Sequence, residues 1–107
     1  MKYYVAAHQK DKATARKVQK MLIAGGHEIT ADWTELAEEG DNEFLRDVVL
    51  ECEEGVRGCD YLVLLMWKNF PYRGAWVELG IAIALKKQIF LIGEYGLKCD
   101  FAHHPLV

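Results

Sequence analysis

The chain has 107 residues, the length of one domain, and half of them are apolar, which is enough for a single modest core. Its net charge of −3 does not favour nucleic acid as the main partner. No apolar run reaches the roughly 20 residues that span a bilayer, and residues 1–7 have the pattern of a strand rather than of a signal segment. The three cysteines are an odd number without metal-ligand spacing, so we expect reduced thiols in a cytoplasmic protein.

Strand and helix patterns alternate along the chain. They predict, in order, a strand at 3–7, a helix at 11–24, a strand at 28–33, a loop or short turn of helix at 34–40, a helix at 41–55, a strand at 61–66, a helix from 74 or 75 to 87, and a strand at 88–92. Asp11 and Asp41 are the expected N-caps of the first two helices, and a short fifth strand is expected around Phe101. This alternation predicts an α/β fold, namely a three-layer flavodoxin-like or Rossmann-like parallel sheet of four to five strands with helices on both faces, as a single domain over residues 1–107.

The third predicted helix carries one charge in an otherwise apolar run. Residues 74–84 read Gly-Ala-Trp-Val-Glu-Leu-Gly-Ile-Ala-Ile-Ala, and the charge is that of Glu78. A carboxylate there is costly to desolvate, which is unusual unless it has hydrogen-bonding or charged partners or a functional role. Burial raises the pKa of such a group, whereas the helix N-terminus and hydrogen-bond donors lower it; if the second effect prevails, Glu78 is an ionised nucleophile. The alternative is a partly exposed glutamate paired with Arg73 or with a lysine.

Further candidate residues lie where the predicted strands end and the third helix begins, because ligands of parallel sheets bind outside the carboxyl ends of the strands. Trp33 could stack on a nucleobase, and Arg73 could bind a substrate phosphate unless it is a surface arginine in an ion pair. Gly74 supplies a backbone N–H without a side chain in the way. We expect no cofactor and no metal, since the adjacent His103 and His104 lack further ligands. The predicted substrate-binding residues are Ala7, His8, Trp33, Arg73, Gly74 and Trp76.

Several of these segments together resemble a known enzyme family. The most specific segment is Gly-x-x-x-Glu-Leu-Gly-x-Ala at 74–82, and the opening strand at 3–7, residues 24–30, and Asp60 ahead of an apolar strand also agree. In these features the chain resembles the nucleoside 2-deoxyribosyltransferase superfamily, which includes deoxynucleotide N-hydrolases. The resemblance implies that Glu78 attacks the anomeric carbon of a nucleoside or nucleoside monophosphate. It also implies a homodimer or larger homo-oligomer in which a neighbouring subunit completes the pocket.

The chain departs from the family pattern at the second acid. The family aspartate eight residues before the strand-opening aspartate falls on Cys52, and a thiol is a poor substitute for a carboxyl group. Glu51 or Glu53 could serve instead, although they point to different helix faces. Two other functions stay open. One is an NAD glycohydrolase, because Trp76 to Leu79 is similar to the catalytic stretch of TIR domains, and the other is a non-catalytic nucleotide-binding module.

Overall fold

The computed structural model describes residues 1–36 and 40–107, and all strands and helices below belong to these ranges. The strands form an all-parallel sheet in the order β2-β1-β3-β4, with β1 at Lys2–Ala6, β2 at Glu28–Ile29, β3 at Tyr61–Leu65 and β4 at Gln88–Ile92. The connecting helices are α1 at Lys12–Ala24, α2 at Asn42–Gly58 and α3 at Gly74–Ala84. Helix α1 packs on one sheet face, and α2 and α3 pack on the other. The predicted three-layer, Rossmann-like α/β fold is thereby confirmed.

Side-chain alternation along β1 divides the core into two layers. Tyr4 and Ala6 point to the layer that contains α2 and α3, whereas Val5 points to the layer beneath α1. The neighbouring strand β3 is buried on both faces, as its continuous apolar run predicts. The register aligns Tyr4 with Leu62 and Val5 with Val63, so both layers continue across the two central strands.

The predicted strand at 28–33 is wrong over most of its length, because only Glu28–Ile29 pairs with β1. At the next residue the amide of Thr30 still donates to the carbonyl of Tyr3 in β1 at 3.0 Å, and its hydroxyl donates a 2.6 Å hydrogen bond to the carbonyl of Gly55 in α2. A 3₁₀ turn follows at Trp33–Glu35. Of the loop predicted at 34–40, residues 37–39 lie outside the described residues.

The expected fifth strand around Phe101 is also wrong. That residue belongs to a 3₁₀ turn at Asp100–His103, which follows another at Glu94–Lys98. The outer edge of β4 is instead met by the last residues of the chain, where the amide of Ile89 donates to the carbonyl of Leu106 at 2.9 Å. The sheet therefore has four strands within the described residues.

Asp41 caps α2 as predicted, with its carboxylate accepting a 2.8 Å hydrogen bond from the amide of Phe44. Asp11, in contrast, makes no capping hydrogen bond. Its buried carboxylate accepts a 2.6 Å hydrogen bond from the indole N–H of Trp67 and lies 3.6 Å from the ammonium group of Lys68. A long-range bond has therefore replaced the local one, and it ties the loop after β1 to the loop after β3.

All three cysteines of the sequence are free thiols, which agrees with the expectation from their odd number. The thiol of the buried Cys59 donates a hydrogen bond of 3.1 Å to the carbonyl of Val56. None of the helices in the described ranges has both the length and the apolar character that a membrane crossing requires.

Gly55 marks the closest approach of α2 to β1. A Cβ atom at this position would lie 2.7 Å from the Cβ of Ala31 and 2.8 Å from the ring of Tyr4. We therefore expect Gly55→Ala to lower the free energy of unfolding by about 1–3 kcal/mol, even though alanine is the better helix former. Gly80→Ala in α3 is the matched control, because nothing lies within 4 Å of its added Cβ, and it should stabilise by up to about 1 kcal/mol. Urea denaturation measures both, and a stabilised Gly55→Ala variant would contradict the close contact.

Candidate active site

Glu78 lies in the first half of α3, on the sheet side, where it meets Tyr4 of β1. Burial raises the pKa of its carboxyl group from 4.5 to about 7, and the nearby Tyr4 hydroxyl offsets only part of this rise. The side chain nevertheless keeps partial exposure to solvent. The sequence left open whether burial or stabilisation of the charge dominates the pKa of Glu78, and in the structure burial dominates. At neutral pH the carboxyl group is therefore divided between its protonated and ionised forms.

Tyr4 is a site residue that the sequence did not single out. Its side chain is fully buried, and its hydroxyl has no partner of full hydrogen-bond geometry among the described residues. The hydroxyl still lies near enough to Glu78 and Cys52 to influence the pKa of both. Burial, followed by the negative charge of Glu78, raises the pKa of the Tyr4 phenol, so the hydroxyl keeps its proton. Tyr4 is thus a protonated hydroxyl that lies near both the carboxyl group and the thiol.

Cys52 occupies the third corner of this cluster. It lies one turn before Gly55 on the same face of α2, and it is partly buried against the core layer that contains Tyr4. Burial is the main cause of the raised pKa of its thiol, and the charges of Glu78 and Glu51 add to it. We call Tyr4, Cys52 and Glu78 the carboxyl cluster. Its members come from β1, α2 and α3, respectively.

The two glutamates considered as a second acid do not join the carboxyl cluster. Glu51 is exposed, and its charge reaches Cys52 without perturbing Glu78. Glu53 forms a 3.2 Å salt bridge with Arg57 one turn further along α2. Among residues 1–36 and 40–107, Tyr4 is the single side chain that perturbs the pKa of Glu78 apart from burial itself.

Aromatic rings connect the loop after β1 with the start of α3. The ring of His8 stacks on Phe70 with centroids 4.5 Å apart, and Tyr72 meets both rings edge-on. Tyr72 in turn contacts the ring of Trp76, with centroids 6.1 Å apart. His8 also accepts a hydrogen bond from the amide of Lys10. The predicted site residues His8 and Trp76 therefore belong to one row of aromatic rings. Trp76, the last ring of this row, lies two residues before Glu78 in α3.

Trp33 and Ala7 have structural contacts of their own. The indole N–H of Trp33 donates a 2.6 Å hydrogen bond to the carbonyl of Val5, and its ring packs against both core layers. Ala7 packs on the layer beneath α1, away from Glu78. Trp33 is thus fixed beside β1 by its hydrogen bond to Val5 and by its packing in the core.

Arg73 and Gly74 stand at the beginning of α3. Arg73 is exposed, and its guanidinium group makes no hydrogen bond or ion pair with a residue of the described ranges. An added Cβ on Gly74 would meet nothing within 4 Å, so the backbone there is open to solvent. The alternative pairing of Glu78 with Arg73 or with a lysine is absent from the part of the chain that the structure describes.

Two hollows in the surface lie away from the carboxyl cluster. A groove of about 670 Å³ lies on the α1 side of the sheet, with Leu22, Phe90 and Ile92 in its walls. A second hollow of about 440 Å³ lies between Arg16 and Asp32. Neither includes Glu78, so they are not candidate sites for the chemistry of that residue.

No set of three histidine, cysteine or acidic side chains in residues 1–36 and 40–107 is arranged to hold a metal ion. The adjacent histidines near the end of the chain have local partners. His103 lies 3.1 Å from the carbonyl of Leu97, and His104 accepts a 3.1 Å hydrogen bond from the amide of Leu106.

Comparison with models of known protein families and with curated protein sequences finds no match for this chain. The case for a function therefore rests on the resemblance in sequence pattern and on the chemistry of the carboxyl cluster.

Glu78→Gln should stabilise the protein in a pH-dependent way. The folded protein holds the Glu78 proton up to about pH 7, whereas the unfolded chain releases it near pH 4.5. Between these values the folded state binds more protons, so stability falls as the pH rises. Glutamine removes this loss. The gain in the free energy of unfolding should be about 2–3 kcal/mol larger at pH 8 than at pH 5.

Urea denaturation of both proteins at the two pH values measures this difference. Glu53→Gln is the matched control, because its salt bridge lies on the surface of α2 and contributes at most about 1 kcal/mol. An equal response of the two variants to pH would show that Glu78 is not desolvated.

Proposed function

We propose that this protein cleaves or transfers the N-glycosidic bond of a (deoxy)nucleoside or nucleoside monophosphate, as a cytoplasmic member of the nucleoside 2-deoxyribosyltransferase-like superfamily. The observation that carries the proposal is the desolvated carboxyl group of Glu78 beside the proton-holding hydroxyl of Tyr4. Strongly perturbed carboxyl groups with a specific partner are enriched at catalytic sites. The motif that contains Glu78 is also the most specific part of the family resemblance.

The ionised oxygen of Glu78 attacks C1′ of the sugar while the C1′–N bond breaks and its electron pair goes to the base. The transition state resembles an oxocarbenium ion, which a carboxylate beneath C1′ stabilises or traps as a glycosyl ester. Water then attacks C1′ and regenerates the carboxylate, which gives hydrolysis. A second base in place of water gives transfer. The hydroxyl of Tyr4, which keeps its proton and lies near Glu78, is proposed as a positioning group that donates to the carboxylate when substrate is bound.

The start of α3 offers contacts for the rest of the substrate. Arg73 is exposed beside Gly74, so a substrate phosphate would meet a guanidinium group and free backbone N–H groups at a helix N-terminus. The aromatic row from His8 to Trp76 offers ring faces and edges to a base. These contacts would also suit a nucleotide if the protein is a non-catalytic nucleotide-binding module.

Self-association forms part of the proposal. Helices α2 and α3 expose four large apolar side chains: Val49 and Val77 are each 64 % exposed, Leu50 is 52 % exposed and Leu45 is 41 % exposed. Because exposed apolar side chains on adjacent helices mark contact surfaces, we assign this patch to a symmetric homodimer or larger homo-oligomer.

Base release is the direct test of the proposed chemistry. The protein is incubated with deoxynucleosides, their monophosphates and NAD, and free base is followed chromatographically. We expect release that rises with pH through about 7, because only the ionised Glu78 is a nucleophile. Glu78→Gln and Glu78→Ala should lose this release while remaining folded. Stabilisation by a nucleotide without base release would favour the non-catalytic module, and release that survives both substitutions would remove Glu78 from the mechanism.

Light scattering tests the assembly. The wild-type protein should have at least twice the mass of one chain, and Val77→Glu should reduce it by placing a charge in an apolar interface. Met21→Glu is the control, since Met21 is 74 % exposed on α1, on the other side of the sheet. A wild-type protein of single-chain mass would refute the assignment of the patch.

A further inference from the structure

Trp67 lies two residues after the end of β3, at the edge of the sheet where the carboxyl ends of the neighbouring strands β1 and β3 stand side by side. The strand order β2-β1-β3-β4 means that the chain continues from β1 to one side of the sheet and from β3 to the other. Open parallel sheets bind ligands in the crevice outside the strands at such a change of direction. Trp67 therefore stands where the topology predicts a ligand.

The ring of Trp67 is open to solvent. It is 49 % exposed, whereas Trp33 and Trp76 are partly buried against the core. No other aromatic ring packs on it in the described part of the chain, while the rings of His8 and Phe70, from the same two loops, already stack on each other. An indole with a free face offers a large stacking surface to a nucleobase.

Contacts with two other loops fix this exposed ring in place. Its indole N–H donates a 2.6 Å hydrogen bond to the buried carboxylate of Asp11, in the loop after β1. The backbone of Trp67 is covered by Gly93 at the end of β4, where an added Cβ would lie 2.4 Å from the Cα of Trp67. A single exposed apolar side chain needs no explanation by itself, but one that a buried carboxylate holds in a fixed orientation is preorganised for contact with a flat ligand.

We propose that Trp67 is the platform on which the base of a nucleoside monophosphate stacks, with Asp11 as the positioning residue that holds the ring. This inference rests on the proposed function and assigns a contact and a class to its substrate. The half-exposed ammonium group of Lys68 lies 5.9 Å from the centre of the Trp67 ring and 3.6 Å from the carboxylate of Asp11. Because an ammonium group has three donors, it can also bind the phosphate of the ligand.

The test uses two ligands that differ only in the base. AMP and ribose 5-phosphate share the sugar and the phosphate, but only AMP can stack. Dissociation constants are measured by titration calorimetry in the Glu78→Gln background, which should leave the ligand uncleaved. Trp67→Ala should weaken AMP binding by about 5- to 150-fold, the range for loss of one base–aromatic stack, and should change ribose 5-phosphate binding by less than about twofold. GMP, CMP and UMP are tested in the same way, because stacking tolerates every base.

Two further variants and one spectrum make the test specific to the ring. Trp67→Phe keeps a ring face but loses the bond to Asp11, so its AMP affinity should lie between that of the background protein and that of Trp67→Ala. Phe101→Ala is the matched control, because Phe101 is an exposed ring on the 3₁₀ turn at Asp100–His103, and it should leave the affinity unchanged. In the ¹H–¹⁵N spectrum the indole signal that disappears in Trp67→Phe should shift with AMP and not with ribose 5-phosphate, which tests the platform even if Trp67→Ala does not fold.

Bound AMP with an unshifted Trp67 signal, or an equal loss of affinity for both ligands in Trp67→Ala, would overturn the platform and leave the proposed function supported. A smaller mass of Trp67→Ala in light scattering would also overturn it, because the ring would then belong to a subunit contact. Binding of nucleosides but of no monophosphate would overturn the assigned class alone. Failure of the four monophosphates, their 2′-deoxy forms and the parent nucleosides to bind would overturn both proposals.

Discussion

The desolvation of one carboxyl group beneath β1 is the constraint on which the site depends. Raising the pKa of Glu78 from 4.5 to about 7 corresponds to a cost of about 3 kcal/mol for holding the ionised form in the folded protein. A domain of this size is stable by only about 5–15 kcal/mol, so the cost is a large fraction of the total. No ion pair with a described residue offsets it, and Tyr4 offsets it only in part. Such an unrelieved cost in an apolar helix is easier to explain by function than by stability.

The topology creates this environment through a close contact between α2 and β1. Gly55 lets the helix approach the ring of Tyr4, which leaves no room for a side chain at that position. Cys52 lies three residues earlier on the same helical face, so the contact that Gly55 permits also brings the thiol to the Tyr4 hydroxyl. Because α3 packs on the same sheet face, Glu78 completes the cluster from the other side.

The fold class could be predicted from the sequence, and Glu78 could be selected as a candidate, because both steps depend on local patterns. A continuous apolar run predicts β3, and a single charge in an apolar helix marks Glu78 whatever the strand order is. Tyr4 could not be singled out in this way. Its alternation with Val5 shows that the two point to opposite faces, but only the order β2-β1-β3-β4 decides which face meets α3.

The local predictions that were wrong were overridden by long-range bonds. Asp11 has the right type and position for an N-cap, yet it bonds Trp67, a residue 56 positions away. The strand predicted through Trp33 pairs with β1 only as far as Ile29, and the hydroxyl of the following Thr30 bonds the carbonyl of Gly55, 25 positions away. Trp33 itself directs its indole N–H to the backbone of β1, which a pattern of residue types does not reveal. In each case a polar group found a partner in another element of the folded chain.

In the proposed reaction, the neutral side chain at position 52 would affect the nucleophile and the leaving group in opposite ways. A carboxylate there would be a like charge beside Glu78 and would raise its pKa further, which reduces the ionised fraction at neutral pH. Because burial raises the pKa of the Cys52 thiol, Cys52 remains protonated and exerts no such repulsion on Glu78. The same thiol is too weak an acid to protonate a departing base. In the proposed reaction the thiol therefore favours the ionised form of Glu78 but supplies no proton to the leaving group.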